Sequence, residues 1–264
     1  MNRFDGKVVI VTGGGGGIGG ALCHGFAEEG AAVAVFDRAA DAAASVATSI
    51  TEAGGTAIAV ACDITERASV DAAVGAVIGE LGPIDVLVNN VGLAYQVTFD
   101  EVTDDQWDEL WQLNVMSYVR CTRAVLPGMR ARRSGAIVHV SSTAGKRPSA
   151  GMANYSITKA AVQSLARLVA DTYAGDGIRS LSICPGPTTS EAWMDEGGLA
   201  DQVAQGKGIS REDALAATGK GRPMGRMASP DEIAAAIVFA ASPRASYVTG
   251  AAWSVDGGSV PVII

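Results

Sequence analysis

The sequence predicts an α/β protein: a doubly wound, mostly parallel sheet with helices on both faces, in one domain. Three observations predict it. Short apolar runs alternate along the chain with longer helical stretches, the arrangement that builds βαβ units and a parallel sheet. Those runs are near-continuously apolar, as strands covered on both faces must be. The first of them, Val8 to Thr12, feeds five consecutive glycines, Gly13 to Gly17, and then a helical pattern.

Length and composition agree. A chain of 264 residues can bury a substantial core as a single domain over residues 1–264. Apolar residues are 48% and charged residues 18%, which excludes a disordered chain. The net charge of −8 argues against nucleic acid and against an anionic membrane surface as partners. The longest clear apolar stretch, Ile233 to Ala241, is far short of the roughly 18 residues a membrane helix needs. Val8 to Val11 is too short for the core of a signal peptide. Cys23, Cys62, Cys121 and Cys184 form no Cys-x-x-Cys pair, and His24 and His139 lie far apart. No disulfide framework and no metal site is expected, and the reading is a reduced, cytoplasmic protein.

The elements follow in order. Lys7 to Thr12 is a strand, Ile18 to Glu29 a helix ended by Gly30, and Ala32 to Phe36 the second strand. Ala39 to Ala53 is an alanine-rich helix stopped by Gly54-Gly55, and Thr56 to Cys62 the third strand. Glu66 to Glu80 is helical and closed by Gly82-Pro83; Val86 to Val88 continues the strand set. Asp104 to Arg132 is a long helical stretch that Pro127 should bend or interrupt. Ile137 to Val140, Ala153 to Tyr173 and Ile178 to Ile183 repeat the pattern. One glycine-rich region, Pro185 to Met227, is too long for an ordinary connection, and residues 187–227 are expected to form a substrate lid. Within it, Ile209 to Thr218 can form a short helix capped by Ser210, with Asp213 three residues on.

A strand that runs through glycines into a helix presents bare backbone N–H groups at a helix N-terminus, where a pyrophosphate binds. Gly-x-Gly-x-x-Gly fits at Gly14, Gly16 and Gly19 and again at Gly15, Gly17 and Gly20, so spacing leaves the register open. The second strand leads to Asp37, 18 residues after Gly19. An acid at about that distance accepts hydrogen bonds from the ribose hydroxyls of NAD and repels the added phosphate of NADP. Arg38, next in line, can pair with such a phosphate; a helix cap is the other reading of Asp37.

Tyr155 and Lys159 are four apart at the start of a periodic helix and share one face. An ammonium beside a phenol favours the phenolate, so the tyrosine can move a proton near neutral pH. Ser141-Ser142 ends one strand and Asn89-Asn90-Val91-Gly92 another, both at the edge where open α/β sheets bind ligands. Asn114 interrupts the long helix with a poor helix former.

Taken together these motifs resemble the short-chain dehydrogenase/reductase family, collinearly from Lys7 to Gly258. The match covers Thr12-Gly13-x-x-x-Gly17-Ile18-Gly19, Asp63, Asn89-Asn90-x-Gly92, Asn114, Ser142, Tyr155, Lys159, Pro185-Gly186 and Val255-Asp256-Gly257-Gly258. The resemblance implies an oxidoreductase that interconverts a secondary alcohol and a ketone by hydride transfer, and Asp37 favours NAD over NADP as its cofactor. It sets the glycine register at Gly13, Gly17 and Gly19, with Ile18 between. It implies that Tyr155 is the general acid/base, that Lys159 holds the nicotinamide ribose and lowers the tyrosine pKa, and that Ser142, rather than Ser141, orients the substrate oxygen. Asn114 would hold a water for proton relay. Asp63, with Ile64, would contact the adenine, Asn90 with Gly92 the adenosine side, and Thr188 after Pro185-Gly186 the carboxamide. Val91 stands where the family has Ala, and His139, read as a core histidine, where Asn is common. Cys121 and Cys184 read as small apolar residues. Trp193, Met194 and Leu199 favour an apolar or cyclic substrate. Family likeness further implies a homotetramer joined through the helices around Asn114 and Tyr155 and through the tail from Tyr247 to Ile264. Two rival readings are an NADPH-dependent 3-oxoacyl-thioester reductase and a catalytically silent dinucleotide-binding regulator; retention of Tyr155, Lys159, Ser142 and Asn114 opposes the latter.

Overall fold

A computed structural model describes residues 3–261. Its strands are β1 (Val8–Thr12), β2 (Ala32–Asp37), β3 (Thr56–Ala61), β4 (Ile84–Asn89), β5 (Gly135–Val140), β6 (Ile178–Pro185) and β7 (Ala252–Val255). They form one sheet in the order β3-β2-β1-β4-β5-β6-β7, and every neighbouring pair is parallel. Between them run α1 (Gly17–Glu28), α2 (Ala40–Glu52), α3 (Arg67–Glu80), α4 (Asp104–Trp111), α5 (Ser117–Arg132) and α6 (Ala153–Tyr173). The excursion after β6 carries α7 (Glu191–Met194), α8 (Leu199–Lys207) and α9 (Arg211–Lys220), and α10 (Pro230–Ala241) leads to β7.

Side chains alternate across each strand, so the apolar runs feed two cores. Val9, Val11, Val33 and Val35 join Leu22 and Phe26 of α1 and Ile233 and Ile237 of α10 on one face. Val8, Ile10, Ala34 and Phe36 join Val70, Val77, Val125 and Met129 on the other. Burial on both faces is the reason these strands read as unbroken apolar runs. The strand order reverses direction between β1 and β4, whose ends carry the glycine turn and Asn90. A crevice opens at such a switch point, beyond the carboxyl ends of the strands.

The long stretch 104–132 is broken, but not where Pro127 suggested. A π-helical turn at Gln112–Met116, with Asn114 at its centre, separates α4 from α5. Pro127 lies inside α5 without ending it. Pro127 and Arg123, whose carbonyl loses a partner, are both exposed, so the break in the ladder lies on the solvent face of the helix. In the excursion, Ser210 caps α9 as expected, accepting the Asp213 N–H at 3.0 Å. Helix α8 was not anticipated from the sequence. The terminal Val262 to Ile264 of the expected contact tail lie outside the described residues.

Candidate active site

One cavity of about 990 Å³ follows the crevice from the glycine turn to the excursion. Gly13, Gly17, Ile18, Gly19, Asp37, Asp63, Ile64, Asn90, Gly92, Ser142, Tyr155, Lys159, Pro185, Gly186 and Thr188 all line it. Of the site residues named from the sequence, Asn114 alone stands outside this lining, buried behind the wall.

The turn settles which glycines matter. Gly13 and Gly17 have φ of +63° and +52°, in the left-handed region. A Cβ on Gly19 would overlap the Gly13 carbonyl, whereas one on Gly20 would meet nothing closer than 3.9 Å. Backbone conformation thus calls for glycine at positions 13 and 17, and backbone contact calls for it at 19. Gly16, the N-cap of α1, offers no side chain, and the first turn holds no acid of its own. Asn90 braces the turn: its amide donates to the carbonyls of Thr12 at 3.0 Å and Gly13 at 3.3 Å. A bare, positively polarised helix start framed by glycines fits an anionic dinucleotide bridge.

Asp37 does not cap α2, whose N-cap is Ala39 with no side-chain bond. Its two oxygens accept the Gly15 N–H at 3.1 Å and the Ala39 N–H at 2.9 Å, which fixes the carboxylate on the cavity wall. Asp63 accepts from the Thr65 N–H at 2.9 Å and the Thr65 hydroxyl at 2.6 Å. Those bonds hold its carboxyl below the usual range. Thr188 is buried and donates to the Gly186 carbonyl at 3.0 Å.

Helix α6 sets Tyr155 and Lys159 one turn apart. The Lys159 Nζ donates to the Val140 carbonyl at 3.0 Å and lies 5.4 Å from the Tyr118 ring centre and 5.7 Å from that of Tyr155. Gly92 gives it room, since a Cβ there would come within 3.0 Å of Nζ. Burial pushes Lys159 down to about 7. The Tyr155 phenol is held above its ordinary value: burial raises it, and hydrogen bonding with Ser142 opposes the rise. Burial is the largest cause of both shifts, upward for the phenol and downward for the ammonium. Ser142 lines the cavity and its hydroxyl accepts the Ala144 N–H at 3.1 Å. Ser141 points inward and donates to the Lys159 carbonyl at 2.8 Å. Asn114 accepts the Leu93 N–H at 2.9 Å and donates to the Leu93 carbonyl at 3.0 Å and the Thr158 hydroxyl at 3.2 Å.

His139 is fully buried, stacked on Tyr118 and held neutral, with its pKa at about 3 because of burial. It is a core residue, as the sequence reading has it. Trp193 and Leu199 line the cavity, but Met194 does not: it is exposed and lines a separate, shallower cleft with Ala21 and His24 of α1 and Pro230 of α10.

Two residues were missed. Tyr118 has no sequence signal; its hydroxyl lies 2.8 Å from the Val91 carbonyl and 3.1 Å from that of Val140, tying the two strand ends together. Glu191 reaches back across 174 positions to accept the Gly17 N–H at 2.8 Å. The excursion thereby lays a carboxylate against the start of α1, where an anion is favoured. Replacing Glu191 with Gln removes a like charge from the anion site. The expected result is a dinucleotide bound about 3- to 5-fold tighter in a fluorescence titration, with thermal stability slightly reduced because the helix start loses its counter-charge. Weaker binding in that variant would refute the assignment.

The short chain dehydrogenase family model matches residues 7–198. The 2-(S)-hydroxypropyl-CoM dehydrogenase 3 of Xanthobacter autotrophicus is 34% identical over 261 residues, covering 99% of each chain. The cis-4-hydroxycyclohexanecarboxylate dehydrogenase of Sinomonas cyclohexanicum is 37% identical, covering 98% of each. The L-sorbose reductase of Gluconobacter frateurii, solved in complex with NADPH and L-sorbose, superposes with a TM-score of 0.92 at 36% identity over the whole of both chains. This chain belongs to the short-chain dehydrogenase/reductase family. It is an oxidoreductase with a Rossmann-type nucleotide fold.

Proposed function

We propose that the protein is an NAD-dependent dehydrogenase/reductase that interconverts an apolar or cyclic secondary alcohol and its ketone. One observation carries the reading: Ser142, Tyr155 and Lys159 face the same cleft whose other end is the glycine turn. When bound, the dinucleotide supplies the hydride acceptor or donor, while the chain supplies position and proton transfer. Gly13, Gly17, Ile18 and Gly19 hold the pyrophosphate and Asp37 the ribose; Asp63 and Ile64 meet the adenine, with Asn90 and Gly92 alongside. Pro185, Gly186 and Thr188 hold the carboxamide end. In oxidation Tyr155 takes the proton of the alcohol hydroxyl, and in reduction it returns one to the ketone oxygen. Ser142 orients that oxygen. Lys159, when protonated, favours the phenolate and offsets part of the burial cost. Asn114 spends its side-chain amide on Leu93 and Thr158, so its part is to hold the wall behind Lys159 rather than to bind a relay water through that amide.

NAD is favoured because the Asp37 carboxylate, fixed on the wall, repels a ribose phosphate. The second reading, an NADPH-dependent reductase of the 3-oxoacyl-thioester kind, draws support from Arg38, which lines the same end. The L-sorbose reductase bound to NADPH points the same way. Paired titrations decide. NADH is expected to bind at least about tenfold tighter than NADPH, and Asp37→Ser to erase that preference. NADPH binding tighter in the unaltered protein favours the second reading. Growth of the reduced-nicotinamide absorbance with a panel of secondary alcohols tests the reaction itself. No turnover of any alcohol or ketone by cofactor-bound protein would overturn it.

A homotetramer fits the apolar residues left exposed on the helices around Asn114 and Tyr155, namely Trp111, Ile157 and Leu168. Light scattering checks it. Four buried free cysteines suit the cytoplasm, and among the described residues no helix is long and apolar enough to cross a membrane.

A further inference from the structure

Carboxylates line only one half of the cleft, where Arg38 stands next to Asp37 in the chain. Its acidic lining, Asp37, Asp63 and Glu191, belongs entirely to the half that starts at the glycine turn. In the half beyond Ser142 and Tyr155 the charged lining is basic: Arg147 on the segment after β5, Lys207 at the end of α8, and Arg222 just past α9. A chain with eight more acids than bases does not collect three cations by composition alone.

None of the three takes part in an ion pair among the described residues. Arg147 and Lys207 stand at the exposed rim, but Arg222 is half-buried and its Nε is a buried donor without a hydrogen-bond partner. Its place is fixed by backbone: Arg222 N–H donates to the Gly219 carbonyl at 3.0 Å, and Met224 N–H donates to Gly257 at 3.2 Å. A buried guanidinium donor held without an acceptor is costly, and a carboxylate is the planar partner that a guanidinium fork matches.

We propose that the substrate is an anionic alcohol: it carries a carboxylate or similar anion at the end remote from the reacting carbinol. Arg222 binds that anion, with Lys207 and Arg147 drawing it in from the rim. The proposal rests on the dehydrogenase reading and names its substrate class. The positive rim also concentrates an anion from solution, an effect that salt screens.

The test compares alcohols on one skeleton. kcat/KM is measured with the NAD-loaded enzyme for 4-hydroxycyclohexanecarboxylate, its methyl ester and the matching sulfonate, at low and high potassium chloride. The acid is expected to exceed the ester by at least about tenfold, chiefly through KM, and the advantage to shrink with salt. A sulfonate preferred equally supports recognition by charge; preference confined to the carboxylate supports recognition by the guanidinium fork. Arg222→Gln is expected to lower the acid-to-ester ratio about tenfold. Lys207→Gln, at an exposed helix end that tolerates change, should lower it two- to threefold and serves if the first variant does not fold. Equal turnover of acid and ester, or a ratio that neither variant moves, overturns the proposal and leaves the dehydrogenase reading standing. No turnover of these or any other alcohols overturns both.

Discussion

Tyr155→Phe abolishes all but a residue of turnover, by about 10²- to 10⁴-fold, while the dinucleotide still binds. The substitution removes one oxygen and leaves the ring, so the packing against Lys159 and the shape of the cleft survive. What goes is the group that accepts the alcohol proton. The pH profile supplies a second readout. Alcohol oxidation requires the phenol to be deprotonated, and burial holds that phenol above its ordinary value. Oxidation by the unaltered enzyme therefore accelerates as pH rises through the alkaline range, and ketone reduction slows. Lys159, pushed down to about 7, opposes this trend as it loses its charge, because the phenolate then loses its neighbour. The remaining rate in the Phe variant should lack the alkaline rise. Stopped-flow turnover alongside cofactor titration makes the separation, and near-normal turnover in the variant removes Tyr155 from the chemistry.

Gly19→Ala is expected to lower dinucleotide affinity by about 10- to 100-fold, which is what an overpacking cost of about 1–3 kcal/mol would do to binding. The added methyl would overlap the Gly13 carbonyl, a backbone atom that cannot move without carrying the turn with it. The same displacement strains the Asn90 amide, which holds that carbonyl and its neighbour in Thr12. Gly20→Ala provides the control, since its Cβ meets only ordinary contacts. Unchanged affinity in Gly19→Ala, measured by calorimetry, would show that the turn does not grip the cofactor.

Much of the fold and of the candidate site can be read from local sequence. Strands buried on both faces have to be apolar throughout, and the first three helices between them are followed by Gly30, Gly54 and Gly82, so much of the βαβ alternation is written residue by residue. Tyr155 and Lys159 share a wall because a helix places every fourth residue on one face. Asn114 was marked by being a poor helix former, and the π turn falls there. Pro127 misled because its cost is greatest where the freed carbonyl is buried, and here Pro127 and Arg123 both lie on the exposed face of α5.

The sequence by itself determined the sheet, the glycine turn and the Tyr155–Lys159 pair, because each rests on a backbone period or on a residue type that one local geometry demands. Only the tertiary structure decided which glycines are obligatory, that Glu191 rests on the start of α1, that Tyr118 ties β4 to β5, and that Arg147, Lys207 and Arg222 share one end of the cleft. These depend on contacts between segments tens to nearly two hundred positions apart. A local pattern holds no record of which distant side chain will arrive, nor of how far burial will shift the proton affinities of the groups it brings together.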